Sequence, residues 1–235
     1  MPIAVSVNGL RVRYGPIEAL HGVDLEFPAG AVTALIGRNG SGRTTLLNTL
    51  AGLVRPVAGT VTWLGEDITT WPADKRARAG VTLIPERGGI FPGLSVADNL
   101  TVFANGTDTT GRTQGGDIEP ALAAFPVLEA RLAQKARTLS GGEQQMLAVS
   151  RALLRPAKLL LLDELSQGLA PRIAGRLYEV VADLATADRT VILVEQHTGE
   201  ALHRAEVVYT LSRGSVTFRG DPTEFRSRPQ TTHRT

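Results

Sequence analysis

The chain has no cysteine. That excludes disulfides and thiolate metal sites, and it fits a reducing, cytosolic setting. Aromatic residues make up only 5%: three tyrosines, two tryptophans and six phenylalanines, too few for a base-stacking surface. An excess of one charge is also lacking, since 25 Lys+Arg face 23 Asp+Glu and leave a net charge of +2. The sequence pI is about 9.3, but the basic residues are scattered, so no nucleic-acid partner is expected. No apolar run approaches the roughly 20 residues that a bilayer-crossing helix requires. No basic patch followed by an apolar stretch opens the chain, so a signal peptide is not expected either.

What is present suits a globular protein: 235 residues, 43% hydrophobic and 20% charged, enough for one large domain or two lobes around a shared core. Ala4 to Tyr14 and Val23 to Phe27 alternate apolar with polar residues, as half-buried strands do. Ala31–Ile36 is a continuous apolar strand ending at Gly37. Leu46, Leu47, Leu50 and Leu53 then recur at helical spacing, with Gly52 and Pro56 as the stop. Val81–Ile84 reads as a short strand, and Ser95-Val96-Ala97-Asp98 as a capping box opening a helix to about Ala104. Asn105 to Asp117 reads as a mobile loop rich in Gly, Thr and Asp, with helical patterns from Ile118 (broken near Pro126) and from Gly141 to Arg155. Strand and helix alternate again over Leu159–Asp163, Pro171–Ala185, Val191–Glu195 and Thr198–Ala205. Val207–Leu211 follows, with a hairpin through Arg213-Gly214. Pro222 to Thr235 is polar and reads as a frayed tail. The pattern predicts an α/β core with a helical insertion near residues 87–156.

Three strings carry chemistry. Gly37-Arg38-Asn39-Gly40-Ser41-Gly42-Arg43-Thr44-Thr45 lies between a strand and a helix. Glycines there let successive N–H groups turn inward onto phosphate oxygens, and a hydroxyl at Thr44 suits magnesium. In isolation the segment reads first as a glycine turn capping a helix. The strict phosphate-loop pattern has lysine where Arg43 stands; arginine keeps the charge in a bulkier planar fork. Leu139-Ser140-Gly141-Gly142-Glu143-Gln144-Gln145 is a turn opening a helix, with amides and a positive dipole end for an anion. Ser140 also reads as a simple N-cap. Leu159–Leu162 is a buried strand ending in Asp163-Glu164, and a carboxylate there needs compensation that a magnesium ion supplies.

Together and in this order, these strings resemble the ATP-binding-cassette (ABC) ATPases from about Val7 to Gly220. The resemblance implies a phosphate-loop NTPase core (about 1–86 and 157–220), an N-terminal antiparallel β subdomain, an inserted helical subdomain (about 87–156) and a polar tail (221–235). It implies ATP and Mg2+ as ligands. Gly37, Asn39, Gly40, Ser41, Gly42, Arg43, Thr44 and Thr45 would hold phosphate, and Tyr14 would stack on adenine where a lone tyrosine otherwise packs. Thr44, Glu86 and Asp163 would serve the metal, Glu164 would be the general base, and Gln196 would stand where most relatives carry a γ-phosphate-binding histidine. Ser140, Gly141 and Gly142 would close over the nucleotide of a second ATPase subunit, so a homo- or heterodimer is implied. Leu165 departs from the proline usual after the glutamate, within a loop (Ser166–Pro171) through which the two sites would communicate. His197 is given no role, and His21, His203 and His233 are read as surface or packing residues.

Glu86, Gln196 and the strings Glu143–Ala148, Gly168–Pro171 and Val194–Gln196 look most like the branched-chain amino acid importer group, with urea or amide importers close behind. The implied setting is the cytoplasmic face of the cell membrane, with transmembrane permease subunits as partners. Two other readings stay open. One is a slow, degenerate half of a heterodimeric transporter, suggested by Arg43 and Leu165; the other is a soluble, non-transport ATPase of the same fold.

Overall fold

A computed structural model describes residues 1–86, 89–105, 116–196 and 199–228. The chain opens with two long strands, β1 (Ile3–Tyr14) and β2 (Ile17–Pro28), then β3 (Val32–Gly37) and α1 (Arg43–Leu50). Next come β4 (Ala58–Trp63), β5 (Glu66–Asp67), α2 (Ala73–Ala79) and β6 (Val81–Ile84). Helices α3 (Val96–Ala104), α4 (Glu119–Ala124) and α5 (Gly141–Leu154) separate β6 from β7 (Leu159–Asp163). The rest is α6 (Pro171–Leu184), β8 (Thr190–Glu195), α7 (Gly199–Arg204), β9 (Val207–Ser212), β10 (Ser215–Gly220) and α8 (Pro222–Ser227).

The strands form two sheets. A four-stranded antiparallel sheet has the order β2-β1-β4-β5, and a six-stranded sheet the order β10-β9-β3-β8-β7-β6. Within the second, β9, β3, β8, β7 and β6 run parallel and only β10 is antiparallel. Parallel strands are covered on both faces, which is why the runs Leu159–Leu162 in β7 and Val191–Val194 in β8 are apolar without alternation. Their two faces still serve different layers. Leu159, Leu161, Ile192 and Val194 pack with α1 and the antiparallel sheet, whereas Leu160, Leu162, Val191 and Leu193 pack under α3, α5 and α6. The period of two in a strand thus sorts one leucine run into two cores.

Most strands and helices expected from the sequence lie within a residue or two of the observed ones. Three corrections follow. Leu53 does not continue α1: the helix ends at Leu50, Gly52 has φ +79°, and Leu53 is 61% exposed. The stretch between Pro56 and Gly80, to which the sequence reading gave no element, holds β4, β5 and α2. The expected frayed tail begins as a helix, because the Asp221 carboxylate accepts from the Thr223 and Glu224 amides and Pro222 stands in the first turn. The loop expected at Asn105–Asp117 lies mostly outside the described residues, as do His197 and His233.

Candidate nucleotide site

The carboxyl ends of the parallel strands meet at one edge. Ile36 is in register with Glu195, Val194 with Asp163, and Leu162 with Ile84. Gly37, Asp163-Glu164, Glu195-Gln196 and, past Pro85, Glu86 therefore all leave the sheet on the same side, where α/β proteins bind ligands.

Residues 37–42 curl from β3 into α1. Ser41 donates its N–H to the Arg38 carbonyl at 3.0 Å, and the Ser41 carbonyl accepts from Gly214 in the β9–β10 hairpin at 2.9 Å. Two glycines are needed for distinct reasons. A Cβ on Gly37 would come within 2.6 Å of both the Leu211 carbonyl and Ser41 Oγ. Gly42 has φ +102°, and a Cβ there would come within 2.8 Å of the Ala19 carbonyl. Gly42 is also the N-cap of α1 and offers no side chain to its first amides. Those amides, with the positive end of the helix dipole, are left for something else.

Arg43 is the first residue of α1 and is 4% exposed. Its Nη2 donates to Glu164 Oε1 at 2.7 Å, an ion pair with both side chains buried, and to Asn39 Oδ1 at 3.4 Å. A cation at a helix N-terminus opposes the dipole, so the Glu164 carboxylate compensates both charges at once. Glu164 itself has φ +48°, a left-handed conformation that costs about 1–2 kcal/mol for a residue with a Cβ. Beside it, the Thr44 hydroxyl lies near the Asp163 carboxyl. Burial pushes the Asp163 carboxyl above its ordinary value, and the charges of Glu164 and Glu86 push it further against the opposing pull of Thr44 and Arg43.

Among the described residues, five buried side-chain polar atoms lack a hydrogen-bond partner. Three of them, Ser41 Oγ, Arg43 Nη1 and Asp163 Oδ1, belong to this edge. Buried orphans are rare in folded proteins, and a group of donors and acceptors at one site fits a polyphosphate with its cation. No group of three or more His, Asp or Glu positioned to hold a metal unaided occurs among the described residues. A cation here would need phosphate oxygens among its ligands, as magnesium commonly does.

Other expected residues lie elsewhere or act differently. Tyr14 ends β1, is 47% exposed and pairs in register with the exposed Ile17. Ser140 caps α5 in a full capping box, its Oγ accepting from Glu143 N at 3.3 Å while Glu143 Oε2 accepts from Ser140 N at 2.8 Å. Among the described residues, no hydrogen bond links Tyr14, or the turn 140–142, to the loop at 37–45. Leu165 is 1% exposed and joins the core beneath α6, so the departure from proline is absorbed by packing. His21 is exposed and meets the Glu18 carbonyl at 3.1 Å, and His203 is exposed on α7, as expected.

One residue escaped the sequence reading. Glu195 is 2% exposed and accepts from Tyr178 Oη at 2.5 Å and Ser166 Oγ at 3.1 Å. Burial, and after the hydrogen bonds the nearby Glu164 charge, bear on its carboxyl, which is pushed above its ordinary value. The available signal was a carboxylate directly after the apolar run Val191–Val194.

A phosphate-type loop feeding a helix, beside two carboxylates at an adjacent strand end, defines a nucleotide-triphosphate site of the phosphate-loop class. Comparison with known proteins narrows this. The family model described as ABC transporter matches residues 20–167. The high-affinity branched-chain amino acid transport ATP-binding protein BraG of Pseudomonas aeruginosa is 39% identical over 212 residues, covering 90% of each chain. The probable branched-chain amino acid transport ATP-binding protein LivF of Archaeoglobus fulgidus is 37% identical over 92% of this chain and 91% of its own. The fold matches the dimeric structure of a bacterial ABC transporter cassette with TM-score 0.81 at 21% identity, over 93% of this chain and 98% of that one. The chain belongs to the ABC transporter family, as an ATP-binding, ATP-hydrolysing cassette.

Proposed function

We propose that this chain powers import of branched-chain amino acids, with ATP held at residues 37–45 and hydrolysed with Glu164 as base. The observation that carries the site assignment is the start of α1, where a buried cation paired with one carboxylate stands beside uncapped amides and a positive dipole end. That field suits a polyphosphate better than a single carboxylate. The BraG and LivF similarities support the cargo class. Tyr14, exposed at the end of β1, is free to take the adenine face.

Phosphate oxygens compete with Glu164 for Arg43. Once the pair opens, Glu164 can accept a proton from water attacking the γ-phosphorus, while the bond to the β-phosphate oxygen breaks and ADP leaves. Asp163, with its unpartnered Oδ1, would hold magnesium together with Thr44 and Glu86. Bound there, the ion neutralises phosphate charge. Gln196, half-buried past β8, would meet the γ-phosphate in this reading. Ser140, Gly141 and Gly142 serve a second ATPase subunit's nucleotide in this reading, consistent with their separation from the chain's own loop.

Permease subunits dock at the cytoplasmic membrane face, beside Glu86 and the helices between β6 and β7. A cleft of about 410 Å³ lined by Ile90, Phe91, Val102, Phe103, Arg151 and Arg155 supports that placement. No described helix is long and apolar enough to cross a membrane, so the spanning work falls to those partners.

A slow half of a heterodimer remains as a second reading, favoured by the same Arg43–Glu164 pair, which withholds the base. Calorimetry with Mg-ATP tests the binding step; no heat at millimolar nucleotide overturns the site. Steady-state ATPase of the chain alone, and mixed with a sister cassette, separates the readings: activity only in the mixture selects the slow half.

A further inference from the structure

Glu164 holds its left-handed backbone because bonds on both sides fix it. Its N–H donates to the Val194 carbonyl at 2.9 Å, and its own carbonyl accepts from Gln167 at 3.4 Å. Two residues on, Ser166 turns its hydroxyl onto Glu195 Oε2 at 3.1 Å. The same carboxylate receives Tyr178 Oη from α6, the helix into which the 164–170 loop runs. One buried side chain on β8 therefore pins both the start of the loop and the helix that follows it. A strained conformation persists only where its surroundings over-determine it, and Glu195 is the anchor that neither backbone bond supplies.

We infer that Glu195 is a positioning residue for hydrolysis, holding Glu164 in register with the phosphate loop through Ser166. Its role is distinct from phosphate or metal binding, because its oxygens are occupied by Tyr178 and Ser166. The inference rests on the proposed reading of Glu164 as the base.

The test is steady-state ATPase of the full chain with Mg-ATP, alongside thermal melting, for the parent, Glu195→Gln, Ser166→Ala, Ser166→Thr and the double variant Glu195→Gln/Ser166→Ala. A carboxamide puts a donor NH2 where one carboxylate oxygen stood, so it cannot accept from Tyr178 and from the Ser166 hydroxyl at two separate oxygens as the carboxylate does. Expected for Glu195→Gln is a kcat lower by about tenfold, with KM for ATP within about twofold of the parent. Ser166→Ala should lower kcat by about threefold, Ser166→Thr should restore it, and the double variant should be no slower than Glu195→Gln alone, as residues acting in series require. Parent-like kcat in Glu195→Gln, or single effects that multiply in the double variant, overturn the inference. Should Glu195→Gln fail to fold, the Ser166 pair decides: Ser166→Ala at the parent rate overturns it. A parent inert toward Mg-ATP sinks the reading of Glu164 and this inference with it, whereas a normally active parent with indifferent variants sinks the inference alone.

Discussion

Helix α1 is opened by one buried arginine and closed by another, and the two are satisfied in opposite ways. Arg76, on α2 and 1% exposed, makes five hydrogen bonds to carbonyls. Its Nη1 takes the Thr49 and Leu50 carbonyls of the last turn of α1, both at 2.8 Å, and Thr49 also accepts from the Gly52 N–H at 3.1 Å. Its Nη2 takes Ile68 at 2.6 Å and Thr69 at 3.1 Å, and Nε takes Trp71 at 3.1 Å. The cation sits where the helix dipole wants one. Arg43 sits at the opposite pole, where the dipole repels it, with Nη1 unpartnered and Nη2 holding a carboxylate. Equal burial therefore means different things. Arg76 is saturated and knits the antiparallel sheet's connections to α1, whereas Arg43 keeps a donor nitrogen unused, which the proposed function assigns to phosphate.

The sharpest way to break this comparison is Arg76→Met. Five hydrogen bonds are lost, at about 1 kcal/mol each, so a loss of about 5 kcal/mol is expected, although the Thr49 and Ile68 carbonyls keep the Gly52 and Trp71 amides as donors. For a domain of this size that lowers Tm by roughly 10–20 °C. Affinity of the folded fraction for ATP should stay within about twofold, measured by calorimetry below the melting transition. If Arg43→Met proves as destabilising as Arg76→Met, the distinction between a saturated and a reserved cation is wrong.

Glu164→Gln comes next. The carboxamide oxygen still accepts from Arg43, so the fold should survive, but the base is gone. Hydrolysis should fall by about a hundredfold or more, with ATP binding retained. Undiminished phosphate release in a malachite-green assay would remove Glu164 from that role.

Contrasting regions also explain what could be read in advance. The site edge was legible because its chemistry sits in contiguous strings, residues 37–45 and 159–164, whose local pattern is strand, turn, helix and strand. Helix α2 was not, since its buried residue is Arg76 and an arginine facing inward leaves no apolar stripe. Strand β4 hid for a related reason: Gly59 interrupts it, and only Val61 and Trp63 are buried. The link between Arg43 and Glu164 spans 121 residues, and no periodicity encodes a contact between chain segments that far apart. Glu195 escaped for the converse reason. A single carboxylate in an apolar strand is too little signal until its partners are known.

Arg43→Lys sharpens the comparison at the ligand end. An ammonium reaches less far than a guanidinium and lacks its planar fork, so its hold on Glu164 should weaken while its charge stays for phosphate. One charged hydrogen bond better placed on the phosphates is worth about 1.5–3 kcal/mol. ATP affinity, turnover or both should therefore rise about tenfold or more. If lysine changes neither, the ion pair does not restrain the site.

The smallest effect concerns a second helix start. Gly42 leaves α1 uncapped, whereas Ser140 caps α5, so deleting that hydroxyl probes what a satisfied N-terminus contributes. Ser140→Ala should cost about 1 kcal/mol at neutral pH, read from urea unfolding. The Glu143 carboxyl lies below its ordinary value of 4.5, first through the Ser140 N–H, then through the Ser140 hydroxyl. A depressed carboxyl contributes stability above its unfolded value and loses it as pH falls through its folded one. The variant keeps the N–H bond and loses only the hydroxyl's share. The gap between parent and variant should thus be full above about pH 4.5 and narrow below it. A gap that stays constant down to pH 3 would mean that the hydroxyl acts on the helix amides alone, with no part played by the Glu143 charge.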